Sequence, residues 1–394
     1  MKYLIITAIT LLSCSTKPTN NPTNNNKQNL VAVDVTKKYP EKTIYVQDIA
    51  DIEYIPLETN DNTLIRGGRP DGISEQHIVY HNQDGKILVF NRQGKLLYSF
   101  NRTGGGPEEY NFLYHITLDK KKEELYIPTQ GDLCTIVYVY SINGTFKRKF
   151  TLSDTTAEKY ALQAWIDYDE DHLLCYNTYY TNPPKDKISV EDKNRNYPYV
   201  LFSKKTGKIT PLNYSIPNKI GNHIYPADGK GPRLTFSIFP LKQNNPDILI
   251  TDFADDTLYS LKNEKLLPVM IKKPSAHKMT PPMLVGVSFF TDRYIFIDAV
   301  EKKLEGELKQ NSMVYDKQTN DFYQLNLLNK DDSNKYNINL IGTSLLHNTS
   351  LCLINPGYLL QAYNNGKLQG TLKQVASKLK EDDNPVLMLI KFKE

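Results

Sequence analysis

Along most of the chain apolar and polar residues alternate in short runs, each interrupted by a turn rich in Gly or Asn, the signature of half-buried strands joined by tight hairpins. One strand-turn-strand unit recurs six times. The copies read Ile87-Leu-Val-Phe-Asn-Arg-Gln-Gly-Lys-Leu-Leu-Tyr, Val137-Tyr-Val-Tyr-Ser-Ile-Asn-Gly-Thr-Phe, Tyr199-Val-Leu-Phe-Ser-Lys-Lys-Thr-Gly-Lys-Ile, Leu258-Tyr-Ser-Leu-Lys-Asn-Glu-Lys-Leu-Leu, Met313-Val-Tyr-Asp-Lys-Gln-Thr-Asn-Asp-Phe-Tyr and Tyr358-Leu-Leu-Gln-Ala-Tyr-Asn-Asn-Gly-Lys-Leu. Their turn residues, Gly94, Gly144, Gly207, Asn263, Asn320 and Gly366, return at intervals of roughly 50–60 residues, and Gly and Asn tolerate the positive φ that hairpins demand. A further apolar strand precedes each hairpin, at His77 to Tyr80, Glu124 to Ile127, His172 to Tyr176, Asp247 to Thr251, Arg293 to Ile297 and Ser350 to Ile354. A still earlier one stands before most of them, at Phe112 to Leu118, Leu162 to Tyr168, Leu234 to Leu241, Leu284 to Phe290 and, less clearly, Ile338 to Leu346.

Four strands per repeat make a blade, and six blades make an all-β six-bladed β-propeller of four-stranded antiparallel sheets, in which radial repetition leaves few open edges. Ile52 to Glu58 and Pro385 to Phe392 are lone strands at the two ends; one or both are expected to complete the last blade and close the ring. One short C-terminal helix is predicted at Thr371 to Lys380, with Leu372, Val375, Ala376 and Leu379 on one face and Thr371 and Gln374 at capping-box spacing.

The N-terminus reads differently. Lys2 is followed by about ten mostly apolar residues, too few for a bilayer-spanning helix of ~20, ending in Leu11-Leu12-Ser13-Cys14. That end resembles the lipobox of bacterial lipoproteins, so residues 1–13 are expected to be a signal peptide and Cys14 the lipidated residue. Residues 15–29 hold no apolar residue and two prolines, a tether of roughly 20 Å, so residues 14–30 form the anchor and leash and 31–394 the propeller domain. Ser15 after the cysteine is unlike the inner-membrane retention signal, which favours the outer membrane, and the following run lacks the acidic residues of a surface-export signal, with both a periplasmic and a surface facing left open.

Composition sharpens this picture. Twenty-seven Tyr and 14 Phe against one Trp suit strands. A net charge of +4, from 48 basic and 44 acidic residues, supplies no field for a polyanion, so nucleic acid is not an expected partner. After cleavage Cys134, Cys175 and Cys352 remain, each inside an apolar run, which argues against a disulfide framework and leaves a single bridge open in an oxidising compartment.

Candidate chemistry is sparse. His77 and His81 have helical ligand spacing but lie on a strand, where four residues span ~13 Å, too far for one metal. Asp167, Asp169 and Asp171 alternate like the first half of a calcium loop, but His172 and Thr178 replace its glycine and its bidentate Glu. Gly104-Gly-Gly-Pro107 lacks the Lys and helix of a phosphate loop, Glu108 and Glu109 are neighbours that point apart, and no nucleophile elbow or zinc helix is present. No metal or cofactor is expected, and no catalytic constellation emerges.

The chain resembles the six-bladed β-propeller lipoproteins of Bacteroidetes, related to NHL-repeat propellers, through Asp51-Ile-Glu-Tyr-Ile-Pro-Leu-Glu-Thr59, Ile87-Leu-Val-Phe-Asn-Arg-Gln-Gly-Lys-Leu and Gly104-Gly-Gly-Pro-Glu-Glu-Tyr110, with Glu108 where the family usually has Gly. The resemblance implies the fold and an envelope location. The expected function is a lipid-anchored binding or assembly module for a glycan, peptide or envelope protein, with a propeller lyase or hydrolase at the channel mouth as the alternative. Because all long loops fall on one end of the blades, that face is expected to recognise the ligand, with Arg102, Tyr110, Tyr179, Tyr180, His223, Tyr225 and Arg233 as candidate contacts; the same residues could instead cover blade edges or pair locally.

Overall fold

In the computed structural model six sheets stand radially around a central channel. The structure describes residues 30–66, 68–129, 136–152, 160–178, 197–215, 219–221, 223–224, 234–236, 240–244, 246–304, 310–341 and 346–393. Blades one to three are four-stranded antiparallel sheets, built from strands Gly72–Ile73, His77–His81, Lys86–Asn91 and Leu96–Asn101, then from Thr117–Asp119 to Phe146–Thr151, then from Leu162–Asp167 to Ile209–Pro211. Blades four (Leu241–Asn244 to Lys265–Lys273) and five (Met283–Phe290 to Asp321–Leu328) have the same four strands, and each gains a fifth on its outer edge from the N-terminal segment. The fifth strands, Val31–Asp34 and Glu41–Tyr45, pair in parallel with the outermost strand of blade four and of blade five respectively.

Blade six closes the ring. Val386–Phe392 is its central strand, paired antiparallel with Thr349–Ile354 on one side and Ala50–Pro56 on the other, so both terminal segments take part as the sequence predicts. This blade has three strands among the described residues, with an isolated bridge from Ile341 to Leu351 where an innermost fourth strand would run. The sixth hairpin expected from the sequence does not form: Pro356–Asn364 is instead a helix, followed by a second at Gly370–Ala376. Asn355 caps the first by accepting from the Tyr358 N–H, and Pro356 sits in the first turn, where its missing N–H costs nothing. Leu359 and Ala362, three residues apart, are its buried face. The second helix begins without a side-chain cap, so the Thr371/Gln374 box does not form.

All six turn residues have positive φ, from +48° at Asn263 to +85° at Gly144, including Gly366, which follows the helix instead of turning a hairpin. At three of them the glycine is also required by a repeated seam. The outer strand of one blade lies over the next blade's hairpin, so that a Cβ at Gly94 would meet the Pro56 carbonyl oxygen at 2.1 Å, and one at Gly144 or Gly207 would meet the Phe100 or Phe150 side chain at 2.5 and 2.9 Å.

The core is a ring of six clusters, one between each pair of neighbouring blades. Val79, Tyr110, Leu125 and Tyr140 join blades one and two; Tyr126, Val139, Trp165 and Phe202 join two and three; Leu174, Tyr199, Ile250 and Leu261 join three and four. Leu258, Met270, Ile297 and Tyr315 lie between four and five, and Ile55, Tyr80, Phe90 and Leu389 between six and one. The two helices pack Leu359 and Leu372 into the cluster between five and six, against Phe289, Phe296 and Phe392. Each blade therefore buries both faces, which explains why its middle strands are continuously apolar.

Candidate functional site at the channel mouth

The chain path fixes which ends of the blades meet. First-to-second and third-to-fourth strand turns share one end of the ring. Second-to-third loops and blade-to-blade connections share the other end, which forms the channel mouth. At the mouth, Asp71 immediately precedes the innermost strand of blade one and His81 ends that blade's second strand. His81 Nδ1 lies 2.8 Å from Asp71 Oδ2, and Asp71 Oδ1 also accepts from the Ile116 N–H at 3.3 Å, tying blade one to the entry of blade two. His115 precedes the innermost strand of blade two, with Nε2 3.2 Å from Thr117 Oγ1 and 3.4 Å from the Trp165 carbonyl of blade three.

Lys242 belongs to the innermost strand of blade four and Asp298 to the second strand of blade five, where Asp298 Oδ1 accepts from Ser312 Oγ at 2.7 Å. Arg69 comes from the approach to blade one, and is exposed. Arg69 is among the charges that act on Lys242.

Local physics distinguishes these groups. Burial pushes the Lys242 ammonium down to about 8, with the Arg69 charge adding to the fall and Asp298 opposing it. For His81 burial disfavours the charge, but the hydrogen bond and charge of Asp71 outweigh it, and the imidazole is held above its ordinary value. Burial lowers His115, despite Asp71 and the Trp165 carbonyl, so this imidazole is the neutral one of the two.

Several sequence-derived candidates lie elsewhere. Tyr110 is fully buried between blades one and two; its hydroxyl donates to the Gly85 carbonyl at 2.7 Å and its ring meets Tyr140 edge-on, so it offers no stacking surface. Arg102 is exposed at the outer rim, where Nη2 donates to the Gly144 carbonyl at 3.3 Å across the seam between blades one and two. His223 is half-buried in a two-stranded ladder with Leu234–Thr235 in the connection from blade three to blade four. Neighbouring Ile224 and buried Phe236 pack on Phe253, Leu284 and Val300, which places this ladder over blades four and five. Tyr179, Tyr180, Tyr225, Arg233, Cys134 and the whole of 1–29 with Cys14 lie outside the described residues. Cys175 is buried and Cys352 half-buried.

The remaining motifs are structural. His77 and His81 occupy opposite ends of one strand, His77 Nδ1 lying 3.3 Å from Glu123 Oε1. Asp169 accepts from the N–H groups of Asp171 and His172 in a turn, while Asp167 pairs with Lys204. Glu109 folds back so that its carboxylate accepts from the Gly106 N–H at 2.8 Å, and a Cβ on Gly104 would lie 2.0 Å from the same oxygen. The glycine run thus makes room for a carboxylate, not for a phosphate. Among the described residues no group of three or more His, Cys, Asp or Glu side chains could hold a metal ion.

A family model described as a domain of unknown function (DUF4934) matches residues 30–391, nearly the entire described propeller. The chain belongs to the DUF4934 family. This DUF4934 domain is similar in fold to a putative exported protein from Bacteroides fragilis, at 14% identity and a TM-score of 0.63, covering 92% of this chain and 100% of that one. It also matches a member of the duf4221 family from Bacteroides vulgatus, at 9% identity and a TM-score of 0.45, over 88% and 97% of the two chains. No curated protein matches it.

Proposed function

We propose that the chain is a lipid-anchored envelope protein that binds a glycan, peptide or envelope partner at the channel mouth. The observation that carries this reading is the gathering of Asp71, His81 and His115 where blade one meets blade two, with Lys242 and Asp298 on strands of blades four and five toward the same end, where the long loops begin and return. Rigid strands position these groups, and Tyr179, Tyr180, Tyr225 and Arg233 are proposed to add stacking aromatics and hydrogen-bond donors to the surface. A glycan-array screen of the intact chain tests it. Binding should fall at least about tenfold in a variant combining Tyr179→Ala, Tyr225→Ala and Arg233→Ala and in His115→Gln, and should be unchanged by Asn143→Ala or Lys262→Ala in the turns of the opposite end. The reverse pattern overturns the assignment of the face.

Export and anchorage rest on the Leu11-Leu12-Ser13-Cys14 motif, and the exported relative from Bacteroides fragilis is consistent with an envelope address, for which the outer membrane is the proposed anchoring membrane. Cys14→Ala should abolish labelling by a fatty-acid probe and move the chain out of the detergent phase; equal labelling of the variant refutes the anchor.

A lyase or hydrolase at the same mouth is the second reading, favoured by two imidazoles pushed in opposite directions, His115 lowered by burial and His81 raised by its contact with Asp71. An array ligand converted to shorter products supports it, and release of the ligand unchanged rules it out.

A further inference from the structure

A strand at the edge of a sheet presents a row of unpaired N–H and C=O groups, and most outer edges of this ring are covered or blunted. The N-terminal strap covers two of them, Val31–Asp34 lying on blade four and Glu41–Tyr45 on blade five. Blade two's outer strand, Phe146–Thr151, carries Lys147, Arg148 and Lys149. Blade three's, Ile209–Pro211, is three residues long and ends in proline, and blade six's, Ala50–Pro56, holds Asp51, Glu53 and Pro56. Blade one differs. Its outer strand, Leu96–Asn101, has six residues and no charge, is the last of its sheet among the described residues, and leaves Leu97 43% and Tyr98 39% exposed.

That edge also has the geometry on which the strap lies in blade four. There a bulge leaves Val269 without a ladder partner, since Leu258 pairs with Met270 and Tyr259 with Pro268. The strap runs parallel to the four residues that follow, Val31 beside Met270 through Asp34 beside Lys273. In blade one the same bulge leaves Leu97 without a ladder partner, since Val89 pairs with Tyr98 and Phe90 with Leu96. Residues 98–101 therefore repeat the register of residues 270–273, with no strand on them among the described residues.

We propose that residues 98–101 are a docking edge for an extended segment of a partner protein, apolar and β-branched with an acidic residue at its C-terminal end, added in parallel as Val31–Asp34 is added to blade four. This surface lies on the outer rim and is independent of the channel mouth. The main chain supplies the pairing, and the side chains select the segment. Exposed Tyr98 offers an apolar face, as Met270 does to the strap. Asp34 of the strap lies beside Lys273, and the matching position in blade one, Asn101, is followed at once by exposed Arg102. Exposed Lys149 on the neighbouring blade adds positive charge, its Nζ donating to the Pro107 carbonyl at 2.8 Å in the loop beyond Arg102. A second copy is the poorer occupant: antiparallel pairing of two such edges in full overlap sets Lys95 opposite Arg102.

Fluorescence anisotropy of the full chain with a labelled, end-blocked peptide Leu-Val-Ala-Val-Asp-Val, the strap's own sequence at residues 30–35, tests the proposal. Saturable binding is expected. Tyr98→Asp and Ser99→Glu, each confirmed as folded by its melting curve, should weaken it about tenfold or more, as should an Asp34→Lys version of the peptide. A peptide N-methylated at alternate residues should not bind, and Tyr336→Ser, far along the chain from this edge, should change nothing. No binding at about 1 mM peptide, or binding indifferent to both edge variants, overturns the docking edge; in the second case the peptide displaces the strap or binds elsewhere. Equal affinity for the Asp34→Lys peptide overturns the acidic partner. A concentration-dependent dimer of the full chain that Tyr98→Asp disperses gives the edge to a second copy and overturns the partner protein.

Discussion

Removing residues 385–394 should leave no folded monomer. The deleted segment is the central strand of blade six, and Val386, Leu387, Met388, Leu389, Ile390 and Phe392 are all at least 97% buried. At about 1.5–3 kcal/mol for each buried apolar side chain, their loss matches or exceeds the whole stability of about 5–15 kcal/mol expected of a domain. The deletion would also strand Ala50–Pro56 and Thr349–Ile354 with unpaired edges and unclose the ring. Circular dichroism and size exclusion should show an unfolded or aggregated chain; a monomer with the parent's cooperative melt would contradict closure by these strands.

The second large effect concerns Lys204. Its ammonium lies 2.8 Å from Asp119 Oδ2, 2.5 Å from Asp167 Oδ1 and 2.7 Å from the Asp169 carbonyl, so all three donors are used at a buried junction of blades two and three. Burial raises the Asp167 carboxyl above its ordinary value, with Lys204 restraining the rise, which marks the pair as dependent on the lysine. Lys204→Met leaves two carboxylates buried together and should cost about 3–5 kcal/mol in urea denaturation. Adding Asp119→Asn and Asp167→Asn should return much of that loss, because the neutral amides no longer repel. A cost below about 1 kcal/mol for the single variant would show that the buried charges are not interdependent.

The architecture was largely legible because hairpin chemistry is local. Gly94, Gly144, Gly207, Asn263 and Asn320 announce turns by themselves, and the flanking alternation gives the strands. Sequence reasoning failed at Tyr358 to Leu368, where Gly366 does have positive φ but ends a helix; the competing signals were Asn355-Pro356 and the three-residue spacing of Leu359 and Ala362. Fifth strands on blades four and five were missed as well, since parallel pairing carries no turn to mark it.

The site was much less legible. Arg69, Asp71, His115, Lys242 and Asp298 are single residues in separate strands or strand approaches, and only closure of the ring brings blade one opposite blade four. Their common register was the one usable signal, because Asp71 and His115 each stand one or two residues before an innermost strand. Tyr110 misled for the opposite reason. A tyrosine in a glycine-rich loop reads as exposed, yet its hydroxyl reaches the Gly85 carbonyl from within the core.

The N-terminal strap crossing blades four, five and six also arranges the molecule's response to mechanical load. Any pull arriving from upstream of residue 30 meets first the four residue pairs from Val31 to Asp34, then the five from Glu41 to Tyr45, and only afterwards the strand that closes the ring. These attachments are in series, and the shortest comes first. Detachment of Val31–Asp34 would release residues 31–40, up to ~35 Å of extended chain, while the seven pairs between Ala50–Pro56 and Val386–Phe392 remain unloaded. The strap thus meets such a pull through its shortest ladder first, ahead of the strand that closes the ring.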